Sequence, residues 1–473
     1  MAAFCSKCGA PSGGSERFCA RCGNDLTAQA ATPAAAAAPP AGQPPIPPAP
    51  APIYAAAPPQ PPPGMVPMVY QAYPGGPQQV YYVPAAQGSA HSGMGVMAGL
   101  ESKIRQLAST DKLEGFSLRD LFKETFTKRG EDAIEDYLSV GSPRTTPPLE
   151  LVDTNWPKPW MFFRVLAGLA IAYAVVYALF LYTLNEKVMI TIIVLATFAV
   201  PVATMTLLWE MNAPRNVSIA KLIEVFVVGG GLSIVFATLW YLIPIFGNLP
   251  GIVEETSKLV AVILVTYSVR GTRYPYQLNG VLFGAAVGAG FACSETLGYG
   301  LDVVLQFIQG GGLQQVIAAN PQGVSLSVVL ETLLKPVVSE LNMRALLSPF
   351  GHPMFTAISA GAFFRVKGDR PASASMLLDG RFLRAFLIPV VLHEVWDSPL
   401  AAGSSNAVIQ WVGEGAVAVI GWYVVFTMIQ QGLHQVRDMQ KAQLEHTLQH
   451  VEATLGLGTV RPPMSPVPVA PVA

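Results

Sequence analysis

Long apolar stretches without charged residues follow one another between residues 157 and 435. Each is about 20 residues long, the length that an α-helix needs to cross the hydrocarbon core of a bilayer. Residues 301–344 are too polar for a clean span, and Glu331 and Lys335, one helical turn apart, predict a surface or re-entrant helix there. The pattern predicts an all-α polytopic membrane protein with about eight transmembrane helices, at residues 165–185, 188–209, 225–253, 250–269, 274–294, 345–364, 381–398 and 407–430.

The regions on either side of this membrane domain (157–435) differ from it in composition. Residues 26–100 contain no Asp, Glu, Lys or Arg and are rich in Pro, Ala and Gln, which predicts a disordered linker with polyproline II character. Residues 101–156 are charged, with apolar residues at helical spacing, which predicts an amphipathic cytoplasmic helical segment before or against the membrane, or a small partner-binding module. Residues 436–473 form a cytoplasmic tail. The apolar positions of the amphipathic segment are Leu113, Phe116, Leu118, Leu121 and Phe122.

Composition excludes two broad classes of protein. Only 12 % of the residues are charged and 51 % are hydrophobic, whereas an ordinary soluble domain carries about 25 % charge. The net charge of −1 excludes a nucleic-acid binder that relies on bulk positive charge. We therefore expect the membrane, and no nucleic acid, as a partner.

Four of the five cysteines lie in the first 25 residues, in two C-x2-C pairs that are each followed by glycine. This spacing is typical of a zinc ribbon, in which four thiolates close a tetrahedral structural Zn²⁺ site. Two disulfides would need an oxidising compartment, and a redox-active pair would need a βαβ unit that 25 residues cannot supply. Metal-bound thiolates place the amino terminus in the cytoplasm. The four predicted ligands are Cys5, Cys8, Cys19 and Cys22.

The distribution of basic residues gives the same orientation. Cytoplasmic connections of membrane proteins are enriched in Lys and Arg. With a cytoplasmic amino terminus and eight spans, both termini are cytoplasmic, as in a multi-pass protein of the prokaryotic inner membrane. The inner connections then hold Arg215, Lys221, Arg270, Arg273, Arg365, Lys367, Arg370, Arg381 and Arg384, whereas the outer ones hold Lys187, Lys335 and Arg344.

Ionisable residues inside four of the predicted spans indicate a functional site. A charge at the bilayer centre costs about 2.5–3.5 kcal/mol on insertion scales, so such residues are rarely incidental. A single buried histidine is usually structural, and an isolated EExxK is a weak signal, but all four groups fall toward the outer leaflet at similar depth. Cys293 is interpreted as an apolar filler, and Arg164, Glu224 and Glu414 are assigned no role. The candidate residues are Glu254, Glu255 and Lys258 in span four, Glu295 in span five, His352 in span six, and His393 and Asp397 in span seven.

The order EExxK, FxxxE, a histidine-bearing span and HxxxD resembles the PrsW family of intramembrane proteases, which is related to the CAAX-prenyl protease superfamily. The resemblance covers about residues 155–435. The third motif often has an aromatic residue four positions before its histidine, where this chain has Ser348.

The resemblance implies peptide-bond hydrolysis. Glu254 or Glu255 would be the general base on a water molecule, with Lys258 setting its charge state. Glu295, His352, His393 and Asp397 would hold the water or a catalytic divalent metal, so a metallopeptidase and a glutamic peptidase both remain open. The implied substrates are single-pass membrane proteins such as anti-sigma factors, cut near the outer face.

Two other functions fit the same residues. An ion- or proton-coupled membrane transporter would also place carboxylates and imidazoles inside the bilayer. A non-catalytic membrane scaffold would use the zinc ribbon or the linker to recruit cytoplasmic protein partners.

The zinc ribbon predicts one tightly bound zinc per chain from the four thiolates. Replacing Cys5 or Cys22 by serine removes a ligand, so we expect Cys5→Ser and Cys22→Ser to lose that zinc. Metal analysis of the purified variants measures it, and an unchanged zinc content would refute the ribbon.

Overall fold

The computed structural model describes residues 3–4, 11–12, 65–71, 78–84, 92–183, 185–267 and 273–454, and describes side chains from residue 99 onward. The chain forms two compact units, residues 1–89 and 90–473. The four predicted zinc ligands lie outside the described residues, as do residues 455–473 of the tail. The zinc ribbon therefore stays a prediction.

The first unit contains two antiparallel strand pairs. β1 (Ala3–Phe4) pairs with β2 (Pro11–Ser12), and β3 (Met65–Gln71) pairs with β4 (Gln78–Pro84). β3 and β4 lie within the segment predicted to be a disordered linker, so the structure differs from the prediction at these residues. The physical reason is local composition, because both segments are rich in Val and Tyr, which favour strands.

The second unit is helical. Its polar amino-terminal part contains α1 (Ser92–Ala108), α2 (Asp120–Lys123), α3 (Glu131–Ser139) and a 3₁₀ turn, Leu149–Leu151. The first half of the membrane domain contains α4 (Met161–Thr183), α5 (Glu186–Met211), α6 (Ile219–Glu224), a π-helical turn (Val225–Gly229), α7 (Gly230–Tyr241), a 3₁₀ turn (Pro244–Phe246) and α8 (Pro250–Tyr267). The second half contains α9 (Gln277–Gln309), α10 (Gly312–Ala319), α11 (Leu326–Val329), a π-helical turn (Leu330–Leu334), α12 (Lys335–Leu347), a 3₁₀ turn (Ser348–Phe350), α13 (His352–Lys367), a 3₁₀ turn (Ala374–Leu378), α14 (Gly380–Asp397) and α15 (Ala407–Thr454).

The prediction of a helical, multi-pass membrane domain is confirmed at that level. Within the described residues, five helical segments are long and apolar enough to cross a membrane: Met161–Thr183, Lys187–Met211, Ile219–Tyr241, Gln277–Gln309 and Ala407–Glu452. The other three predicted spans correspond to α8, α13 and α14. α13 is only 16 residues long, and α8 and α14 contain several charged residues. The count of eight crossings therefore stays a prediction.

The predicted amphipathic segment packs on the membrane domain. Ala108, Leu121 and Val152 of this segment belong to the main hydrophobic core of the membrane domain. The centres of the Phe116 and Phe426 rings lie 4.3 Å apart. Three arginines from different predicted inner connections donate hydrogen bonds to backbone carbonyls of this segment. They are Arg215 to Tyr137, Arg273 to Gly141, and Arg365 to Ser109. These connections therefore meet at one end of the domain.

A buried carboxylate ties the same segment to the first two long helices. Glu210 on α5 accepts hydrogen bonds from the backbone N–H groups of Trp160, Met161 and Phe162, where α4 begins. It also accepts one from the Tyr137 hydroxyl at 3.0 Å. Burial raises the pKa of Tyr137, so the phenol stays protonated and remains a donor.

Glycines on α9 allow it to contact α13 backbone to backbone. Gly280, Gly284 and Gly288 lie one helical turn apart on one face. A Cβ on Gly284 would lie 2.1 Å from the Thr356 carbonyl oxygen, and one on Gly288 would lie 2.3 Å from that of His352. Small residues at this spacing are a common way for membrane helices to approach closely. The contact fixes the start of α13, and hence His352, against α9.

This close approach predicts that Gly284→Ala destabilises the protein by about 1–3 kcal/mol, because the added methyl group overlaps the α13 backbone. The matched control is Gly298→Ala on the same helix, where no atom outside the helix lies within 4 Å. We expect the control to be neutral or slightly stabilising. Unfolding titrations in mixed micelles measure both, and equal midpoints would contradict the close packing.

Candidate active site

The candidate residues converge from four helices. Glu254, Glu255 and Lys258 lie in the first half of α8, and Glu295 lies past the middle of α9. His352 is the first residue of α13, while His393 lies one turn before the carboxyl end of α14. The amino end of α8 docks on α14, because the Gly251 N–H donates to Glu394 at 2.9 Å. Each candidate side chain therefore lies at the point where its own helix reaches this cluster.

The ammonium of Lys258 lies at the centre of the cluster. Its Nζ lies 3.1 Å from Glu254 Oε2, 2.9 Å from Glu255 Oε1 and 2.8 Å from His352 Nδ1. The lysine is fully buried, and its ammonium lies 4.2 Å from the centre of the Phe291 ring. Such a cation in a dry interior holds the two carboxylates close together without net repulsion.

His393 is held between carboxylates. Its Nδ1 lies 3.1 Å from Glu255 Oε1, and its Nε2 lies 3.3 Å from Asp397 Oδ2. The second Glu255 oxygen accepts from the hydroxyls of Thr356 and Ser359, each at 3.4 Å. Glu255 is fully buried, and both of its oxygens have partners. Its geometry suits a residue that orients the imidazole.

His352 is held in a similar way by Glu295. Nε2 of His352 lies 2.7 Å from Glu295 Oε2, and the same oxygen accepts a hydrogen bond from Arg344 at 2.7 Å. Because an ionised carboxylate only accepts hydrogen bonds, Nε2 carries a hydrogen. The Nδ1 lone pair of His352 is then directed inward, toward Lys258 and Glu254.

The inner nitrogens of both imidazoles face one carboxylate oxygen. Glu254 Oε2 lies 3.7 Å from His352 Nδ1 and 3.6 Å from His393 Nε2, and the two rings are 5.1 Å apart. The other oxygen of Glu254 accepts from the Tyr241 hydroxyl at 3.0 Å. Glu255 and Glu295 thus hold the outer ring nitrogens, while Glu254 and the inner ring nitrogens form the core of the site.

Glu254, His352 and His393 offer the ligand atoms of a divalent metal site. Within the described residues, these three form the group whose ligand atoms all lie within 4.8 Å of one another. Two imidazoles and one carboxylate are a typical ligand set of catalytic zinc. The chemistry fits, although Lys258 hydrogen-bonds to two of the three ligand atoms and would compete with a cation.

This grouping differs from the predicted metal ligands. The sequence predicts that Glu295, His352, His393 and Asp397 hold the water or the metal, with Glu254 or Glu255 as the base. The structure groups Glu254 with the two histidines. Glu295 contacts the outer nitrogen of His352, whereas Asp397 lies 3.3 Å from His393 Nε2, the nitrogen that also faces Glu254. The motifs identify which residues meet. They do not identify which imidazole nitrogen each carboxylate contacts, because this choice depends on the packing of α9 against α13.

A cavity of about 260 Å³ adjoins the cluster. Glu295 and His352 face it, so the buried site has a route to a larger molecule. Two other lining residues, Ala292 and Thr296, lie on α9. The rest come from α12, α14 and α15 or from the turns beside them, and are Glu340, Met343, Arg344, Leu347, Ser348, Gly351, Trp396, Ala402, Gln410 and Glu414.

Several residues at the site were not among the predicted ones. Arg344 was assigned only to an outer connection, and Tyr241 lies at the end of an otherwise apolar span, so neither had a motif to mark it. Glu414 was assigned no role, but the structure buries it beside the cavity. Arg164 and Glu224 contact other regions, namely the Thr125 and Thr127 carbonyls and Lys221. Cys293 is buried, which agrees with an apolar filler.

The central position of Lys258 predicts a large loss of stability in Lys258→Met, about 3–5 kcal/mol, because two buried carboxylates lose their cation. The double variant Lys258→Met/Glu255→Gln should recover part of it. The control is Lys335→Met, which breaks an exposed pair with Glu331 and should change stability by less than about 1 kcal/mol. Unfolding midpoints in detergent test this, and equal effects of the two lysine variants would contradict it.

Comparison with known proteins gives one match. Residues 202–429 match the sequence model of a family described as PrsW family intramembrane metalloprotease. No curated protein and no solved structure matches the chain. The matched region runs from α5 into α15 and includes all seven predicted catalytic residues. This part of the membrane domain is therefore similar to intramembrane metalloproteases.

Proposed function

We propose that the chain is a membrane-embedded endopeptidase that hydrolyses peptide bonds of membrane-anchored proteins with a water molecule activated at Glu254. The observation that carries the proposal is the meeting of Glu254, His352 and His393 beside a cavity, with each imidazole held by a second carboxylate. Buried charges of this kind in a membrane domain are expensive and are expected to serve function. The family match supports the same reaction class.

Glu254 is the carboxylate suited to act as the general base. Its Oε2 faces the inner nitrogens of both histidines, where a water molecule can be held by three groups. Glu254 has two hydrogen-bond partners, Tyr241 and Lys258, whereas Glu255 has four: Lys258, His393, Thr356 and Ser359. Glu254 accepts the proton of the attacking water and returns it to the departing amine. Glu255 acts through His393 and Lys258 and is a positioning residue.

Two cations stabilise negative charge in the transition state. Arg344 lines the cavity and has one guanidinium nitrogen on Glu295, so it is placed to receive the oxyanion of the tetrahedral intermediate. Lys258 Nζ lies 3.1 Å from Glu254 Oε2 and offsets the negative charge of this carboxylate from the buried side. Asp397 contacts His393 Nε2 and balances its charge when the imidazole is protonated.

A divalent metal fits the same three residues. Glu254, His352 and His393 would hold it, and Glu254 would then be a ligand instead of the base. When bound, such an ion supplies a water ligand whose pKa is lowered toward neutrality. Glu255 and Glu295 would fix the orientation of the two imidazole ligands, as carboxylates commonly do around metal sites.

The substrate class is a further part of the proposal and is supported by the family match. We propose single-pass membrane proteins of the anti-sigma-factor kind, cut near the outer face of a prokaryotic inner membrane, with both termini of the enzyme in the cytoplasm. Segment 101–156 packs at the end of the domain where the arginine-bearing connections meet. The proposed zinc ribbon and linker would recruit a cytoplasmic protein partner on that side.

The proposal predicts that Glu254→Gln lowers cleavage by about 10²–10⁴-fold while the protein accumulates normally, because the amide cannot accept the proton of water. Mass spectrometry of new amino termini in membranes of cells that express each form measures this. The control is Glu331→Gln, which removes an exposed carboxylate far along the chain. The same new termini in the wild type and in Glu254→Gln would refute a role for Glu254.

Metal content separates the two roles of Glu254. In full-length protein with all four ribbon cysteines changed to serine, we expect about one bound divalent ion that His352→Gln and His393→Gln each remove. If both variants retain the bound metal, His352 and His393 are not its ligands. If the protein cleaves its substrate at the full rate without any bound metal, Glu254 alone activates the water molecule.

A further inference from the structure

α12 and α15, which carry none of the predicted motifs, contribute several residues to the lining of the cavity beside the site. Glu340 and Arg344 lie on α12, and Gln410 and Glu414 lie on α15. They line the same cavity as His352 and Glu295, so a peptide segment bound there lies close to them. They are therefore candidates for recognition of the substrate.

Glu414 has an unusual environment for a carboxylate. Its residue is only 3 % exposed. Oε1 accepts a hydrogen bond from Gln410 at 3.0 Å, but Oε2 is buried and has no hydrogen-bond partner among the described residues. Glu210, the buried carboxylate of α5, has partners on both oxygens. An unsatisfied buried carboxylate oxygen is costly, so a donor from outside the chain would remove a penalty.

The charge around Glu414 identifies the kind of donor. The cavity lining contains three carboxylates, those of Glu295, Glu340 and Glu414, and one guanidinium, that of Arg344. Arg344 is bonded to Glu295 at 2.7 Å. Within the described part of the chain, no ion pair is formed by Glu414. The cavity therefore has an excess of negative charge and favours a cation.

The remaining lining suits the stem of a long basic side chain. Met343, Leu347 and Trp396 contribute apolar surface to the same cavity. Lysine and arginine side chains commonly lay their methylene groups on such surface while the charged end reaches a carboxylate. A cavity of about 260 Å³ is large enough for one such side chain.

We propose that Glu414 is a specificity-determining residue that binds a lysine or arginine side chain of the substrate close to the scissile bond. The inference rests on the proposed endopeptidase function, because it assigns the cavity to the substrate. The ammonium or guanidinium donates to Glu414 Oε2, Gln410 holds the other oxygen, and the cation stays separate from the chemistry at Glu254.

The test uses two single-pass model peptides that differ only in lysine or norleucine at scanned positions beside an alanine–leucine membrane segment. Binding to the full chain carrying Glu254→Gln is measured in liposomes by energy transfer between labelled peptide and labelled protein. We expect the lysine peptide to bind about tenfold more tightly at one or two positions, as a charge-assisted hydrogen bond provides. Adding Glu414→Gln should reduce the ratio to about one.

The control variant is Glu331→Gln, which removes one negative charge outside the cavity and should leave the ratio at about ten. Unfolding midpoints verify that Glu414→Gln is folded. Equal binding of the two peptides with Glu414 intact, or a ratio that survives Glu414→Gln, overturns the assignment. The unsubstituted protein is assayed for cleavage of the same peptides. If the lysine peptide binds more tightly but neither peptide is cleaved, the recognition site is supported and the endopeptidase function is refuted.

Discussion

The buried ammonium of Lys258 is the interaction on which the rest of the site depends. It bonds to Glu254, Glu255 and His352, and therefore links two carboxylates of α8 to the first residue of α13. Without it, the like charges of the two glutamates would repel each other in a medium of low dielectric constant. With it, the imidazoles of α13 and α14 can approach the same carboxylates. The site is one electrostatic unit rather than a set of separate motifs.

This unit explains why the helices that carry the chemistry are poor membrane spans by composition. α13 is shorter than the other long helices, and α8 and α14 carry several charged residues; these three helices hold all the candidate residues except Glu295. α8 and α13 lie against α9, whose glycine-lined face is buried along most of its length, and α14 lies against α8 and α13. Their polar residues therefore face protein rather than lipid, which is the arrangement that makes buried charge tolerable.

The sequence predicted which residues meet, and the reason is periodicity. EExxK places Lys258 one turn from both glutamates, and HxxxD places Asp397 one turn from His393, so local helical geometry fixes these pairs. The resemblance to a known family supplied the order of the motifs across the spans. Both features are properties of short segments, which a single sequence displays directly.

The sequence could not predict contacts that depend on how distant helices pack. Arg344 reaches Glu295 from a segment interpreted only as an outer connection, and Tyr241 reaches Glu254 from the end of an apolar helix. Glu414 is 119 positions from Glu295 in the chain, and only the tertiary fold brings both to one cavity. The strands at 65–71 and 78–84 were missed for a different reason, because the proline-rich composition of the whole linker outweighed two short Val- and Tyr-rich segments.

The two glutamates of α8 show how adjacent residues acquire different tasks. Glu255 faces α13 and α14 and accepts hydrogen bonds from hydroxyl, imidazole and ammonium donors on both of its oxygens, which restrains its side chain. Glu254, one position earlier, turns about 100° around the helix axis and faces Tyr241 and the inner nitrogens. A saturated carboxylate makes a rigid support, whereas one with room for another partner can exchange a proton or bind a cation. Helical rotation therefore gives the two glutamates different partners, which is the basis of the different roles proposed for them.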